Sequence, residues 1–240
     1  MSKYLIASLI LLLTACGGSG SDSNEEPTDN DFVLGHSFGI QFIILTENER
    51  NIEVEKLIDE VNVMNEFFVK EDRSGIFNFY LNSVFYYDDI QNSNCEIISV
   101  GDLEVNLPDI DYEAMFNACD DILVRDKNAI NIYIYDAYWD GFENWFGIGF
   151  NNADIPFIML DYARLPHIAA AEEHELGHVF GLGHICSTVT SNDSSSNIMS
   201  SAIGNCAAAG IATGLRDTGF NREQLEVIKD TAIRIIANLE

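Results

Sequence analysis

Three of the chain's five histidines lie within the eleven residues HELGHVFGLGH, from His174 to His184. His174 and His178 are four positions apart, so on an α-helix both imidazoles lie on one face, about one turn apart. Gly181 follows three residues after His178, where a glycine can adopt a positive φ, end the helix and turn the chain back. The spacing predicts a helix that ends at Gly181 and brings His184 to the same point as the other two histidines.

Three converging imidazoles favour a catalytic metal site over a structural one. Zinc in proteins prefers four ligands in a tetrahedron, so three histidines leave one position open for water. Glu175 directly follows the first histidine, and its carboxylate would project beside the metal rather than onto it. That position suits a general base that takes a proton from zinc-bound water. We therefore predict His174, His178 and His184 as zinc ligands and Glu175 as the catalytic base.

The run HELGHVFGLGH resembles the metzincin zinc-peptidase signature H-E-x-x-H-x-x-G-x-x-H at every fixed position. Metzincins also have a methionine turn beneath the zinc, and the residues NIMS at 197–200 resemble it. The resemblance implies that Met199 is a hydrophobic floor under the ligand histidines and not itself a ligand. It also implies that residues 146–151 form the edge strand that pairs antiparallel with an extended substrate.

Within the metzincins the chain is most similar to the pappalysin-like branch, through the runs INIYIY, FIMLDYA and FNREQ. The similarity covers roughly residues 130–239, and the preceding part agrees only in the order of its elements. Ser200 and Ser201 stand where other branches carry a tyrosine after the methionine. A tyrosine acting as an additional ligand or transition-state donor is therefore not implied.

The first residues resemble a bacterial lipoprotein signal. Residues 4–13 form an apolar run that is too short to span a bilayer as a helix but matches the core of a signal peptide. The run ends in LTAC, which resembles a lipobox, so we predict that Cys16 is lipidated; an ordinary signal peptide with an incidental cysteine is the alternative. Gly17 follows where an inner-membrane retention signal would place aspartate, which implies the outer membrane of the cell envelope.

Three segments follow from this pattern. Residues 1–15 are the predicted lipoprotein signal peptide, and residues 16–31 are the lipidated cysteine with a flexible, Gly/Ser-rich and then acidic tether. Residues 32–240 are the predicted catalytic domain. No later segment has a long uncharged apolar run, so we expect membrane attachment only through the N-terminal lipid anchor.

The charge balance excludes several kinds of partner. The chain has 12 basic and 39 acidic residues, for a net charge of −27. Twelve scattered cations cannot form a basic patch, so we expect no nucleic-acid partner and no electrostatic docking on anionic lipid. We therefore expect the partner to be a peptide or protein substrate, and we expect the protein to be a monomer.

The four cysteines beyond Cys16 can pair in three ways. Export to an oxidising compartment makes disulfides plausible. We predict pairing between neighbours in sequence, Cys95 with Cys119 and Cys186 with Cys206, each closing a loop of about twenty residues. Buried free thiols are the alternative.

Other metal-binding residue types are weaker candidates. Asp136, Asp140 and Glu143 lie in the acidic run DAYWDGFEN and could bind calcium, but their spacing is not that of an EF-hand, which favours a solvated loop. His36 and His167 lie outside the histidine motif, and we expect surface or packing roles for both.

The hydrophobic pattern predicts an α/β or α+β domain with a twisted mixed sheet, an active-site helix and a C-terminal helix. The predicted strands are 38–46, one or two within 76–87, 129–138, 145–151 and 157–161. The predicted helices are 52–68, 112–122, 168–180 and 221–239, the last with Asn221 as N-cap and Gln224 three residues on. Residues 88–108 and 204–214 are predicted as loops.

Three functions remain open on this sequence. The first is a lipid-anchored zinc endopeptidase that hydrolyses peptide bonds. The second is a catalytically inactive surface lipoprotein of the same fold that binds a peptide or protein without cutting it. The third is a structural envelope lipoprotein that holds a metal incidentally.

Overall fold

The computed structural model describes residues 34–46, 52–70, 72–100, 110–136, 147–151, 155–162, 165, 172–184, 198–199 and 220–239. Five strands lie in this part of the chain: β1 (Ser37–Ile44), β2 (Asn78–Tyr86), β3 (Ala129–Tyr135), β4 (Gly147–Phe150) and β5 (Phe157–Asp161). The helices are α1 (Val54–Phe67), α2 (Tyr87–Ile90), a 3-10 helix (Glu96–Ser99), α3 (Tyr112–Ala118), α4 (Glu172–Val179) and α5 (Arg222–Asn238).

The strands form one mixed sheet in the order β2-β1-β3-β5-β4. The first four strands in this order are parallel to their neighbours, and β4 is antiparallel to β5. The central strands β3 and β5 are buried at every position, as expected where a parallel sheet is covered on both faces. The domain is therefore a mixed α/β fold, as the hydrophobic pattern predicted.

The sheet separates two hydrophobic cores, because successive side chains of a strand point to opposite faces. Ile132 and Ile134 of β3 belong to the first core, which is closed by apolar residues of α1, α4 and α5. Tyr133 and Tyr135 belong to the second core, which is closed by α3 and the 3-10 helix. The sequence alternation over 129–135 predicted these two faces.

Both buried tyrosines keep their hydroxyl groups paired. Tyr133 donates to the carbonyl oxygen of Val124 at 2.8 Å, and Tyr135 donates to that of Ile97 at 2.9 Å. Burial raises the pKa of both phenols well above the usual range. The second core therefore holds uncharged, hydrogen-bonded phenols at any physiological pH.

The C-terminal helix starts where the sequence predicted. The Asn221 side chain accepts a hydrogen bond from the backbone N–H of Gln224 at 2.9 Å, and the Gln224 side chain accepts one from the N–H of Asn221 at 3.1 Å. This reciprocal capping box satisfies two N–H groups that would otherwise lack partners in the first turn. The apolar stripe of α5 then packs into the first core.

The segment 88–108 differs from its predicted loop. It contains the end of α2 and the 3-10 helix, in which Ile97 and Ile98 are buried in the second core. Neither helix exceeds one turn, so neither produces the repeating apolar stripe by which a helix is recognised in a sequence. Residues 101–109 lie outside the described part.

Other helices and strands begin or end a few residues away from their predicted boundaries. The stretch 76–87, predicted as one or two strands, contains the single strand β2 (Asn78–Tyr86). The predicted helix 112–122 ends at Ala118, followed by Cys119 in extended backbone and then a turn. Of the predicted helix 168–180, the described part is α4 with Phe180 after it. The predicted signal peptide 1–15, the tether 16–31 and the loop 204–214 lie outside the described residues. Among the helices described, each is too short or too polar to cross a bilayer.

One of the two predicted disulfides is present. Cys95 and Cys119 are bonded, with their Cα atoms 4.9 Å apart and a sequence separation of 24. A cross-link over a loop of this length stabilises a fold by about 3 kcal/mol, chiefly by restricting the unfolded chain. The bond ties α3 to the start of the 3-10 helix. Cys186 and Cys206 lie outside the described residues.

Candidate metal centre

The helix α4 carries the first two histidines and is anchored by its apolar side. Leu176, Val179 and the following Phe180 are fully buried in the first core. This orientation directs the opposite side of the helix towards a cleft beside strand β4. Exposure increases along the motif: His174 is buried, His178 is half-buried and His184 is exposed.

The chain reverses direction at the end of α4 through a glycine turn. Gly181 has a φ of 86°, which a residue with a side chain rarely adopts. The N–H of Leu182 donates to the carbonyl oxygen of Gly177 at 3.0 Å, and the N–H of Gly181 donates to that of His178 at 2.9 Å. These two bonds form a Schellman motif, which ends the helix and returns the chain towards its own last turn. His184 reaches the other two histidines by this route.

The three predicted histidines converge through their Nε2 atoms. The Nε2–Nε2 distances are 3.2 Å between His174 and His178, 3.0 Å between His174 and His184, and 3.0 Å between His178 and His184. The Nδ1 atom of His174 lies 2.7 Å from the carbonyl oxygen of Ile198, and that of His178 lies 2.7 Å from the carbonyl oxygen of Leu182. A carbonyl oxygen can only accept, so Nδ1 carries the proton in both rings, and in the neutral imidazole each Nε2 atom then presents a lone pair.

This donor set fits a zinc ion. Two lone pairs that face each other at 3.2 Å repel unless a cation lies between them. A tetrahedral zinc with nitrogen ligands at 2.0–2.1 Å would hold those nitrogens about 3.3 Å apart, close to the distances found here. Calcium and magnesium prefer oxygen ligands, so three imidazoles disfavour both at this point. Nδ1 protons held by main-chain carbonyls are also the usual second interaction of histidine ligands.

Met199 lies directly beneath the histidine helix. Its side chain is fully buried, and a Cβ added at Gly177 would overlap its sulfur atom. The turn at Ile198 and Met199 thus packs against α4 at the one position without a side chain, while the Ile198 carbonyl orients His174. Met199 is therefore a buried contact of the histidine helix, and the role of a floor beneath a metal that the resemblance implied for it stays a prediction.

Glu175 lines the same cleft as the exposed histidines. The cleft has a volume of about 510 Å³, and one wall is formed by the end of α4 and the turn through His184. Strand β4 and Asn151 form the other wall. Glu175 lines the cleft and is 3% exposed, so its side chain has little contact with bulk water. Among the described residues that line these walls, none is a lysine or an arginine.

Strand β4 approaches α4 more closely than a side chain would allow. A Cβ added at Gly149 would overlap the carbonyl oxygen of Glu175 and lie 2.9 Å from the Cβ of His178. The sequence predicted the strand, but the close approach at Gly149 was not among the predictions. The sequence feature that could have indicated this contact is a glycine within a predicted strand, because such a glycine often marks a position where another backbone approaches closely.

The other predicted candidates lie apart from the histidine cluster or outside the described residues. The ring of His36 packs edge-on against Phe38 at 4.7 Å, and burial lowers its pKa. Asp136 accepts a short hydrogen bond from the Thr46 hydroxyl at the carboxyl ends of β3 and β1. Cys16, Asp140, Glu143 and His167 lie outside the described part, so the calcium prediction stays a prediction.

No family model and no curated protein matches the chain. Solved structures resemble it, including the following two. An archaemetzincin from Methanopyrus kandleri is 14% identical, over 81% of this chain and 95% of the other, with a TM-score of 0.42. A zinc-dependent peptidase from Methanocorpusculum labreanum (strain Z) is 14% identical, over 82% of this chain and 100% of the other, with a TM-score of 0.31. Both similarities are remote, so the assignment of function rests on the histidines and Glu175.

Proposed function

We propose that the chain is a zinc-dependent endopeptidase of the metzincin type. The observation that carries this proposal is the convergence of three Nε2 atoms within 3.0–3.2 Å beside a buried carboxylate in an open cleft. Three protein ligands correspond to a catalytic zinc site, because a structural site is usually closed by a fourth. The Met199 floor supports the metzincin type, and the pappalysin-like branch rests on the sequence runs alone.

The site residues divide the chemistry between them. His174, His178 and His184 would hold the zinc ion, which when bound supplies a Lewis acid that acidifies water and polarises the substrate carbonyl. The Glu175 carboxylate accepts the proton of the attacking water and then delivers it to the nitrogen of the leaving amine. The Ile198 and Leu182 carbonyls keep two imidazoles oriented throughout.

Strand β4 is positioned to bind the substrate. It forms the end of the sheet next to β5, and no other described strand pairs with its second edge. The N–H and C=O groups of that edge can therefore pair with an extended peptide lying in the cleft. Gly147 and Gly149 add no side chain that would block the approach. This arrangement suits a peptide or protein substrate bound through its main chain.

Metal removal tests the proposal. The purified protein should contain about one zinc per chain and should cleave members of a proteome-derived peptide library at internal bonds. A chelator such as 1,10-phenanthroline should abolish cleavage, and added zinc should restore it. Zinc uptake without any cleavage product would contradict the proposed peptidase activity and favour a lipoprotein that binds a peptide without cutting it. A folded protein that takes up no zinc would contradict both.

We further propose that Cys16 anchors the protein to the outer membrane as a monomer. The support is the apolar run 4–13, the LTAC lipobox and the glycine at position 17. Radiolabelled palmitate should be incorporated into the protein, and a Cys16→Ala variant should lose both the label and its sedimentation with outer membranes. A labelled Cys16→Ala variant, or wild type that stays unlabelled, would overturn this proposal without affecting the one for the zinc site.

A further inference from the structure

Three aromatic rings form a continuous stack on the face of the sheet opposite the histidine helix. Phe116 of α3 stacks on Phe157 of β5, with ring centroids 4.1 Å apart and planes at 12°. Phe157 stacks in turn on Phe150 of β4, with centroids 4.4 Å apart and planes at 9°. Parallel rings at these distances attract each other beyond the area they bury. The stack therefore links α3 to the edge strand of the cleft.

Helix α3 is itself held firmly in place. Its last residue is followed by Cys119, which is bonded to Cys95. The Arg125 guanidinium lies 4.8 Å from the centroid of the Phe116 ring and donates to the carbonyl oxygen of Cys119 at 3.2 Å. Phe116 is thus fixed by a disulfide, a cation–π contact and complete burial.

In the part of the chain that the structure describes, the aromatic contacts of strand β4 on that face are made by Phe150. The strand is four residues long, pairs with β5 along one edge, and contains two glycines that contribute no packing side chain. Gly149 contacts α4 on one face of the sheet, and Phe150 packs on the other face against Phe157. Tyr112, also on α3, meets the same Phe150 ring edge-on at 6.2 Å.

We propose that Phe116 is a positioning residue for substrate binding, which acts through Phe157 and Phe150 to hold strand β4 in the geometry that an extended peptide requires. This inference rests on the proposed function, because it assumes that β4 binds the peptide. The histidines and Glu175 are anchored separately, by Leu176 and Val179 in the first core. Loosening the stack should therefore weaken substrate binding and leave the chemical step largely intact.

The variant Phe116→Leu tests the proposal against Phe42→Leu as a matched control. Phe42 is equally buried but lies in β1, with β3 and β5 between it and β4. Hydrogen exchange at residues 147–150 should accelerate about fivefold in Phe116→Leu and stay unchanged in Phe42→Leu. KM for a peptide should rise about fivefold in Phe116→Leu, with kcat and zinc content within about twofold of wild type.

The exchange measurement needs no catalysis, so it separates this proposal from that of the peptidase. If the wild-type protein hydrolysed no peptide, the proposal that it is a peptidase would be wrong. Faster exchange at 147–150 in Phe116→Leu would still support the role of the stack in holding β4. Unchanged exchange at 147–150 in a folded Phe116→Leu variant, or a fall in kcat at constant KM, would overturn the inference. If Phe116→Leu does not fold, two other variants interrupt the link between α3 and β4. Phe150→Leu removes the ring on β4, and the double variant Cys95→Ala with Cys119→Ala removes the disulfide that holds α3. Both must show faster exchange at residues 147–150.

Discussion

Replacing Glu175 by glutamine should lower kcat for peptide hydrolysis by about 10²- to 10⁴-fold and leave the zinc content unchanged. Glutamine has the shape of glutamate, so the buried side chain should still fill the same space beside the cleft. It cannot accept a proton at neutral pH, however, and the attacking water would lose its base. The three histidines would hold the proposed zinc without Glu175, because their Nε2 atoms converge independently of it.

The same substitution at Glu173 provides the matched control. Glu173 lies on the same helix and is equally buried, at 3% exposure, but it does not line the cleft. We expect Glu173→Gln to keep kcat within about threefold of wild type. Single-turnover hydrolysis of a fluorogenic peptide and metal analysis of both variants measure the difference. A Glu175→Gln variant that cleaves as fast as Glu173→Gln would show that Glu175 is not the base.

Replacing Gly149 by alanine should reduce kcat/KM by about 100-fold or more and destabilise the fold by about 2–3 kcal/mol. The added methyl group would overlap the carbonyl oxygen of Glu175, and a backbone atom cannot rotate away as a side chain can. Strand β4 and helix α4 must then separate. That movement displaces the edge of β4 that we propose binds the peptide, and it also disturbs His178, whose Cβ lies 2.9 Å from the new atom.

Gly183→Ala is the control for this second prediction. Gly183 lies in the opposite wall of the same cleft, and a Cβ added there meets no atom within 4 Å. This variant should match wild type in kcat/KM and in the urea midpoint of unfolding. If Gly149→Ala unfolds at the same urea concentration as Gly183→Ala and cleaves peptides equally well, the close approach of β4 to α4 does not exist in solution.

Several features of the site depend on neighbours in sequence, and these could be predicted. The spacing of His174 and His178 places them on one helical face, because the period of the helix is a local property. Gly181 ends that helix because only glycine adopts its positive φ without strain. The capping box at Asn221 and the alternation of β3 are equally local. Each follows from interactions that span at most a few residues.

The tertiary structure decided what depends on distant segments. The order of the strands, the antiparallel pairing of β4 and the burial of the 3-10 helix follow from contacts between residues far apart in the chain. The carbonyl oxygen of Ile198 orients His174, although the two residues are 24 positions apart in the sequence. No local sequence pattern predicts such a hydrogen bond. The same holds for Gly149, which had a visible signal but no partner in the sequence to explain it.

The sequence by itself thus determined which residues could bind a metal and which could act as base. The reason is that side-chain chemistry and the helical period depend only on the residues themselves and on their near neighbours in the chain. Only the tertiary structure decided that their nitrogens meet within 3.2 Å, that a glycine strand closes the cleft, and that an aromatic stack supports this strand from the far side of the sheet. The physical reason is that packing is set by the sum of many weak, non-local contacts, and no single segment of the sequence contains that sum.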